Sequence, residues 1–437
     1  MAIPIEERMR SDWNARARSD AYYYAITGRR HQDSAEFLAT AELVLPILQS
    51  ALSRVRTEAA EGPRTALEIG CGPGRLMLPM SRFFDEIHGV DVSDEMLALA
   101  RQNLHDVPNA HMARNSGSDL AAFQSHSFDF VYSYAVFQHI PSIEVVTRYL
   151  EESVRVLKPG GVLCCQLRGG ELRPDDRVRN DPTWVGCIFP YQKVFEVSRK
   201  CGLHLLQISD IDRQEMWVVG RIPPASAGTN HNQPVMKAVT PTDNPFGIVS
   251  RSGPGAAFVC WLEGFAESLS LGTVSVTLGD LEAVPSYISE HLGNGGFQLN
   301  VLVPHGAPLG ETPVRMAFNG MPVPGQFNVD IQDYPVPEPQ LVKVTDGVDL
   351  LVESATATAS LKVLLTGIAD PDAIAFEIGS LAIEDVTHYC NYPHAFGYEF
   401  TLQLPSGVAP GPHVLRIKAP GWESTAQVNV LPVAAWH

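Results

Sequence analysis

The sequence predicts an α/β domain built on a mostly parallel sheet, followed by two all-β sandwiches. Three observations carry this reading. Helical and strand-like periodicities alternate over residues 1–222. After residue 245 there are only short β-rich runs, punctuated by Gly and Pro about every ten residues. Between them, residues 223–245 lack periodicity and are rich in turn formers, which marks a linker. With 437 residues, 45% of them hydrophobic and 19% charged, the chain has ample apolar material for packed cores.

In order, residues 5–24 and 32–59 read as helices, the second with Ala35, Leu38, Ala41, Leu45 and Leu48 near helical spacing. A strand at 65–69 runs into a Gly-rich turn at 70–74 and a helix from 75 to about 84. A strand ending at Asp91 precedes a helix capped by Ser93, with Asp94 and Glu95 in its first turn. Further strands fall near 109–114, 128–133, 161–167, 204–209 and 214–220, with helices near 142–156 and 191–202. Such alternation implies a parallel sheet covered on both faces, because crossovers between parallel strands are right-handed. Beyond the linker, strand candidates fill 246–334 and 335–437, two sandwiches divided near Pro335 to Pro339.

Charge and cysteine usage narrow the function classes. Residues 1–222 carry 25 Lys/Arg against 29 Asp/Glu, and residues 223–437 carry 7 against 20. The acidic half repels phosphate backbones, so no nucleic-acid partner is expected. Seven cysteines contain no CxxC pair, and the odd, dispersed set reads as reduced thiols. No apolar run is long enough for a membrane span, and Glu6, Glu7, Arg8 and Arg10 stand where a signal peptide needs its apolar core. A cytoplasmic location is expected.

The chemistry concentrates at Ala66-Leu-Glu-Ile-Gly-Cys-Gly-Pro-Gly74. An apolar strand entering Gly70, Gly72 and Gly74 lets backbone approach a ligand closely. Asp91, 21 residues after Gly70, ends the next strand, where a carboxylate accepts hydrogen bonds from both hydroxyls of a ribose. That leaves a dinucleotide or S-adenosylmethionine. Dinucleotide sites favour G-x-G-x-x-G, whereas here the pattern is G-x-G-x-G with Arg75 in place of the third glycine. Glu68, just before the turn, is awkward for a pyrophosphate and suits a sulfonium cation.

At these residues the sequence resembles the class I S-adenosylmethionine-dependent methyltransferases, specifically the broad type 11 group. Agreement covers 65–168 and extends toward 221. It rests also on Gly89-Val-Asp-Val-Ser-Asp-Glu-Met96, Gly117-Ser-Asp-Leu120, Ser127-Phe-Asp-Phe-Val-Tyr-Ser133 and Arg155-Val-Leu-Lys-Pro-Gly-Gly-Val162. The resemblance implies a Rossmann-like seven-stranded sheet with one antiparallel edge strand, built from 204–209 and 214–220. The cofactor would lie across the carboxyl ends of the first strands. Its binding residues would be Glu68, Gly70, Cys71, Gly72, Gly74, Asp91, Val92, Met96, Ser118, Asp119 and Leu120, with Asp119 meeting the adenine amino group.

For catalysis the candidates are His139 and Tyr134, which follow the fourth strand, and Tyr23 in the Tyr22-Tyr23-Tyr24 run. His139 has the intrinsic pKa of a base, and equally reads as a structural histidine packing the next helix. The tyrosines, with Asp12 and Trp13, either close the site by contact with the cofactor or acceptor, or pack the helix on the sheet. His31 reads as a surface or cap residue. The polar insertion at 169–190, with Arg173, Asp175, Asp176, Arg177 and Arg179, either binds an anionic acceptor or solvates a loop. No carboxylate pair suits a divalent cation, so metal-free transfer is expected.

Residues 246–333 resemble an immunoglobulin-like module of the IPT/TIG kind, through Leu262-Glu-Gly-Phe265, Val274-Ser-Val-Thr-Leu-Gly279 and Leu299-Asn-Val-Leu-Val-Pro304, and residues 340–433 repeat the flavour. Trp422 and Tyr392 mark either a binding surface or core packing. The expected function is methyl transfer to an oxygen or nitrogen of a small molecule, sugar or surface polymer, the sandwiches holding the acceptor or assembling a homo-oligomer. The alternative is a non-catalytic scaffold or sensor that binds the same cofactor.

Overall fold

A computed structural model describes the chain except residues 1–2, 27–31, 58–61, 171–180, 212, 214, 225–233, 243–247, 253–255, 266–268, 291–295, 334–335, 348–352, 393–395 and 433–437, and the side chains of 389, 391 and 392. His31, the five charged residues from Arg173 to Arg179 and the Tyr392 side chain lie outside the described residues.

The N-terminal half opens with α1 (Ile5–Ala25), α2 (Ser34–Ala39) and α3 (Leu45–Leu52). Strands β1 (Thr65–Ile69), β2 (Glu86–Asp91), β3 (Ala110–Arg114), β4 (Phe128–Ser133), β5 (Leu157–Leu167), β6 (His204–Ser209) and β7 (Met216–Arg221) then alternate with α4 (Met77–Met80), α5 (Asp94–Asn103), α6 (Ile143–Val156), α7 (Pro182–Val185) and α8 (Tyr191–Cys201). The sheet order is β3-β2-β1-β4-β5-β7-β6. Neighbours from β3 to β5 run parallel, while β7 is antiparallel to both β5 and β6. All five residues of β1 and all six of β4 are buried, as expected of central strands covered on both faces.

The expected antiparallel edge is corrected in one respect: neither β7 nor β6 is an edge. Strands β8 (Val235–Pro241), β9 (Val249–Ser250), β10 (Ala257–Glu263), β11 (Val274–Leu278), β12 (Leu281–Ile288), β13 (Gly296–Leu302), β14 (Gly310–Phe318), β15 (Met321–Pro322) and β16 (Phe327–Gln332) follow, and β6 pairs with β12 at Gln207 and Tyr287. The ladder thereby runs on without a break into the strand-rich region. Polar contacts reinforce the seam. The Leu205 amide donates to Ser270 Oγ at 3.0 Å, Arg54 donates to the Ile288 carbonyl at 3.0 Å and stacks over the Tyr287 ring, and Arg221 and Arg56 both pair with Glu290. A single apolar core joins Leu205 and Ile208 to Leu271, Ile288 and Leu299.

The stretch read as a linker also differs: residues 235–241 form β8, antiparallel to β10. Strands β17 (Gln340–Asp346), β18 (Ala355–Thr356), β19 (Ser360–Thr366), β20 (Ala375–Ile378), β21 (Leu381–Ile383), β22 (Val386–Tyr392), β23 (Gly397–Gln403), β24 (Gly411–Ala419) and β25 (Trp422–Val430) make a four-stranded and a five-stranded sheet around a separate core that includes Leu361, Phe376, Phe400 and Leu415. Trp422 packs against that core. The long helix expected over 32–59 is broken. Pro46, in the first turn of α3, has no N–H to donate back to the preceding turn, and a 3-10 turn at Thr40–Leu43 intervenes. Among the described residues no single helix is long and apolar enough to cross a membrane.

Candidate active site

A cleft opens at the carboxyl ends of β1, β2 and β4, the place where open α/β sheets bind ligands. Its floor is the glycine turn. The amides of Gly70 and Cys71 donate to the Val90 carbonyl, and the Gly72 amide donates to Asp91 Oδ2 at 2.9 Å. Gly70 adopts φ +73°, and a β-carbon there would run into Val136. Gly72 is also left-handed, but a β-carbon on it would meet nothing within 4 Å, so this glycine borders open space. Gly74 does another job: a β-carbon there would press on Leu104, so it lets α5 pack close.

Asp91 is half-buried, with Oδ1 accepting from the Ser93 amide at 2.8 Å and Oδ2 from Gly72. A carboxylate has about four acceptor sites, so acceptor capacity remains for a hydroxyl beyond the amides it already serves. Burial raises its pKa, and the amides of Ser93, Gly72 and Val92 oppose that rise. Glu68 lies deeper. Burial raises its pKa to about 8, against the lowering effects of the Tyr132 hydroxyl, which donates to Oε2 at 2.9 Å, and of Arg75. Cys71 is pushed well up by burial and by Asp91 and Glu68, so it is a wall of the site and no nucleophile.

Val92, Met96, Tyr134 and His139 also line the cleft. Ser118, Asp119 and Leu120 do not. Their loop is closed on its own neighbours: Asp119 Oδ1 accepts from the Ala121 amide, Ser118 Oγ from Arg148, and the Leu120 amide donates to Glu152. The cleft instead receives Asn115 and Gly117 from just before that loop. Asn115 Nδ2 donates to the Tyr149 hydroxyl at 2.8 Å, while its buried Oδ1 has no donor among the described residues. A buried acceptor without a donor is costly, so this atom is open to an N–H or O–H of a group entering the cleft. Together with the open lone pairs of Asp91 and the acid at Glu68, it makes the cleft fit an adenosine carrying a cationic side chain.

Helix α1 roofs the cleft with Met9, Trp13, Tyr24 and Ala25. Asp20 has extended backbone and breaks the helix, and its carboxylate accepts from the Tyr23 amide, restarting it in a new direction. The three tyrosines therefore diverge. Tyr22 stacks on Phe37 with centroids 4.4 Å apart. Tyr23 lines a neighbouring pocket with Asp12, Ala15, Arg16, Asp181 and Trp184, and Tyr24 lines both that pocket and the cleft. Tyr24 thus takes the place expected for Tyr23. The roof is fastened by Asn14, whose Oδ1 accepts from Ser93 Oγ and the Glu95 amide, and by buried Arg16, which donates to Asp181 and Thr183.

Tyr134 stacks flat on Trp217, with centroids 5.4 Å apart and planes at 7°, and Arg75 covers its ring. His139 is buried between Trp13 and Trp184. Burial, opposed by a bond to the Trp184 carbonyl and helped by Arg168 and Arg16, lowers its pKa to about 4. It is therefore neutral at physiological pH, ready to take a proton only from an acidic donor. Tyr24 is one of the three tyrosines that the sequence offers as contacts, whereas Asn115 and Tyr149 carry no such expectation. The signal available for Asn115 was its place one residue past β3, the strand tip beside Asp91.

Comparison with known proteins finds methyltransferases. The family described as "Methyltransferase domain" matches residues 67–165. The chain is similar to a ubiquinone biosynthesis O-methyltransferase of Xanthomonas oryzae pv. oryzae, 34% identical over 98 residues, 22% of this chain and 40% of that protein. It is also similar to a trans-aconitate 2-methyltransferase of Methylobacterium radiotolerans, 31% identical over 171 residues, 38% of this chain and 54% of that protein. The chain thus covers well under two thirds of these curated relatives. A solved geranyl diphosphate C-methyltransferase from Streptomyces coelicolor aligns at 14% identity and a TM-score of 0.38, over 50% of this chain and 98% of that one. It is residues 67–165, the stretch that holds the glycine turn and Asp91, that match the methyltransferase-domain family.

Proposed function

We propose that the whole chain is an S-adenosylmethionine-dependent methyltransferase acting on an oxygen or nitrogen of a small molecule, sugar or surface polymer. The observation that carries this is the cleft itself, with the glycine turn, the Asp91 carboxylate and the unsatisfied Asn115 acceptor meeting in one place. When bound, the cofactor supplies a methyl group already activated by the sulfonium charge, whose leaving group is a neutral thioether. The protein's part is then mainly positioning and exclusion of water. Asp91 and Asn115 hold the nucleoside, Glu68 complements the cationic end, and the α1 roof shields the reacting centre. His139, neutral and at the cleft wall, takes the acceptor's proton at Nε2 where the acceptor has one to lose.

The strand-rich C-terminal region fits two immunoglobulin-like sandwiches. In this reading the first buttresses the methyltransferase sheet through the β6–β12 seam, and the second, with its own core, serves acceptor binding or self-association. The test is to incubate the purified chain with methyl-labelled S-adenosylmethionine and panels of hydroxylated, amine, sugar and peptide acceptors, measuring S-adenosylhomocysteine formed. Acceptor-dependent turnover is expected. Cofactor binding by calorimetry with no turnover on any panel favours the scaffold or sensor reading instead.

A further inference from the structure

Five polar groups beside the cleft form one hydrogen-bonded chain with a fixed direction. The Ala135 amide donates to Gln166 Oε1 at 3.0 Å, Gln166 Nε2 donates to Gln138 Oε1 at 3.0 Å, Gln138 Nε2 lies 3.2 Å from His139 Nε2, and His139 Nδ1 lies 2.6 Å from the Trp184 carbonyl. Both ends are backbone groups of unalterable polarity. A carbonyl only accepts, so Nδ1 must carry a proton. A neutral imidazole has one N–H, so Nε2 must be the bare nitrogen and Gln138 must offer it an N–H. Gln138 then presents its oxygen to Gln166, which needs an N–H there and an oxygen at Ala135, where an N–H is waiting. Each link requires the next, and all dipoles align.

We propose that Gln138 and Gln166 are positioning residues that hold His139 in its neutral Nδ1–H tautomer, so that the Nε2 lone pair is its one site for taking up a proton. This rests on the methyl-transfer reading of the site. Protonating Nε2 would demand that Gln138 turn its oxygen to the ring. Gln166 would have to follow, and two N–H groups would then collide at Ala135. The chain thus keeps the resting ring neutral, and Nε2 is free to take a proton only as Gln138 swings away from it. It is built firmly: Gln166 is fully buried, Ala135 sits at φ +57°, and Gly186, at φ +65°, lies so close that a β-carbon there would collide with the Gln138 carbonyl. The charged groups facing His139 are Arg168 past β5, Arg16 from α1 and Asp181 before α7, and the neutral ring between the two arginines is consistent with them.

The test is nitrogen NMR of protein labelled in its histidine rings. In the wild-type chain His139 should show a protonated Nδ1 and a bare Nε2 across pH 6–8. In Gln138→Glu the carboxylate accepts from both Gln166 and the ring, so both nitrogens become protonated at neutral pH, a rise of about a thousandfold or more in the His139 protonation constant from its value near 4. With an acceptor that loses a proton, this variant should turn over slowly at neutral pH and recover as pH rises through the new titration, which simple loosening of the fold would not produce. A wild-type ring with the proton on Nε2, or a Gln138→Glu ring indistinguishable from wild type in a folded chain, overturns the proposal. The wild-type spectrum alone decides the tautomer if the variant fails to fold. The expected tautomer in a chain that methylates nothing upholds the relay and refutes the enzyme reading, whereas turnover with the wrong tautomer does the reverse.

Discussion

Glu68 ties cofactor affinity to pH. In the free protein burial keeps its proton until about pH 8, so at pH 6 roughly 1% of molecules carry the carboxylate and at pH 8 roughly half do. A sulfonium or ammonium beside it favours the anion, so binding expels the proton. When only the ionised fraction is competent, apparent affinity scales with that fraction. Affinity for S-adenosylmethionine should therefore rise up to about fiftyfold from pH 6 to pH 8 and level off above. Titration calorimetry in buffers of different ionisation enthalpy should detect nearly one proton released per cofactor at pH 7. Repeating it with S-adenosylhomocysteine, which keeps the ammonium and lacks the sulfonium, shows which cation Glu68 faces. Glu68→Gln, a neutral isostere, should flatten the curve. Stability follows the same linkage with a definite sign. The folded chain holds this proton between the ordinary glutamate value and about 8 while the unfolded chain does not, so the favourable contribution present at low pH is lost as pH rises through 8. The Gln variant should accordingly be the more stable protein in alkali. Affinity that is flat from pH 6 to pH 8 for both ligands, or an unchanged slope in Glu68→Gln, refutes the reasoning.

Three further outcomes are expected. Asp91→Asn keeps the shape of the site but exchanges an acceptor oxygen for a donor, and calorimetry should find cofactor affinity lower by about tenfold or more. Gly186→Ala forces a side chain into a left-handed position against the Gln138 carbonyl, costing about 2 kcal/mol or more, visible as a lower melting temperature and a changed near-ultraviolet signal from Trp184. A chain ended after residue 222 exposes the unpaired β6 edge and the apolar face that Leu271, Ile288 and Leu299 cover, so it should aggregate on expression, whereas a chain ended after residue 332 should remain soluble.

The β1-to-β5 framework and the glycine turn were legible because their residues answer to local rules: strand periodicity, left-handed glycines, a Ser93 cap. What was not legible depended on distant partners. Strand β12 carries Pro285 at an irregularity in its pairing with β13, which masks it as a strand, and the short pairing to β6 that fuses the two regions leaves no local trace. Strand β8 reads as linker because Pro234, Pro241 and Pro245 punctuate it, and pairing with β10 makes it a strand. Asp119 stands in the Gly117–Leu120 run that resembles the family, yet its loop satisfies itself and the cleft wall falls to Asn115. The exchange of Tyr23 for Tyr24 is a matter of one residue, about 100° of helix rotation, set by a break at Asp20 that propensity does not forecast.

Tyr24 borders two chambers at once. One side of that side chain belongs to the cleft and the other to the compartment of Tyr23 and Trp184, and the same helix contributes Trp13 to the first and Arg16 to the second. A ligand that presses on Tyr24 from one side is therefore felt on the other, through a side chain hung from a helix that changes course four residues earlier.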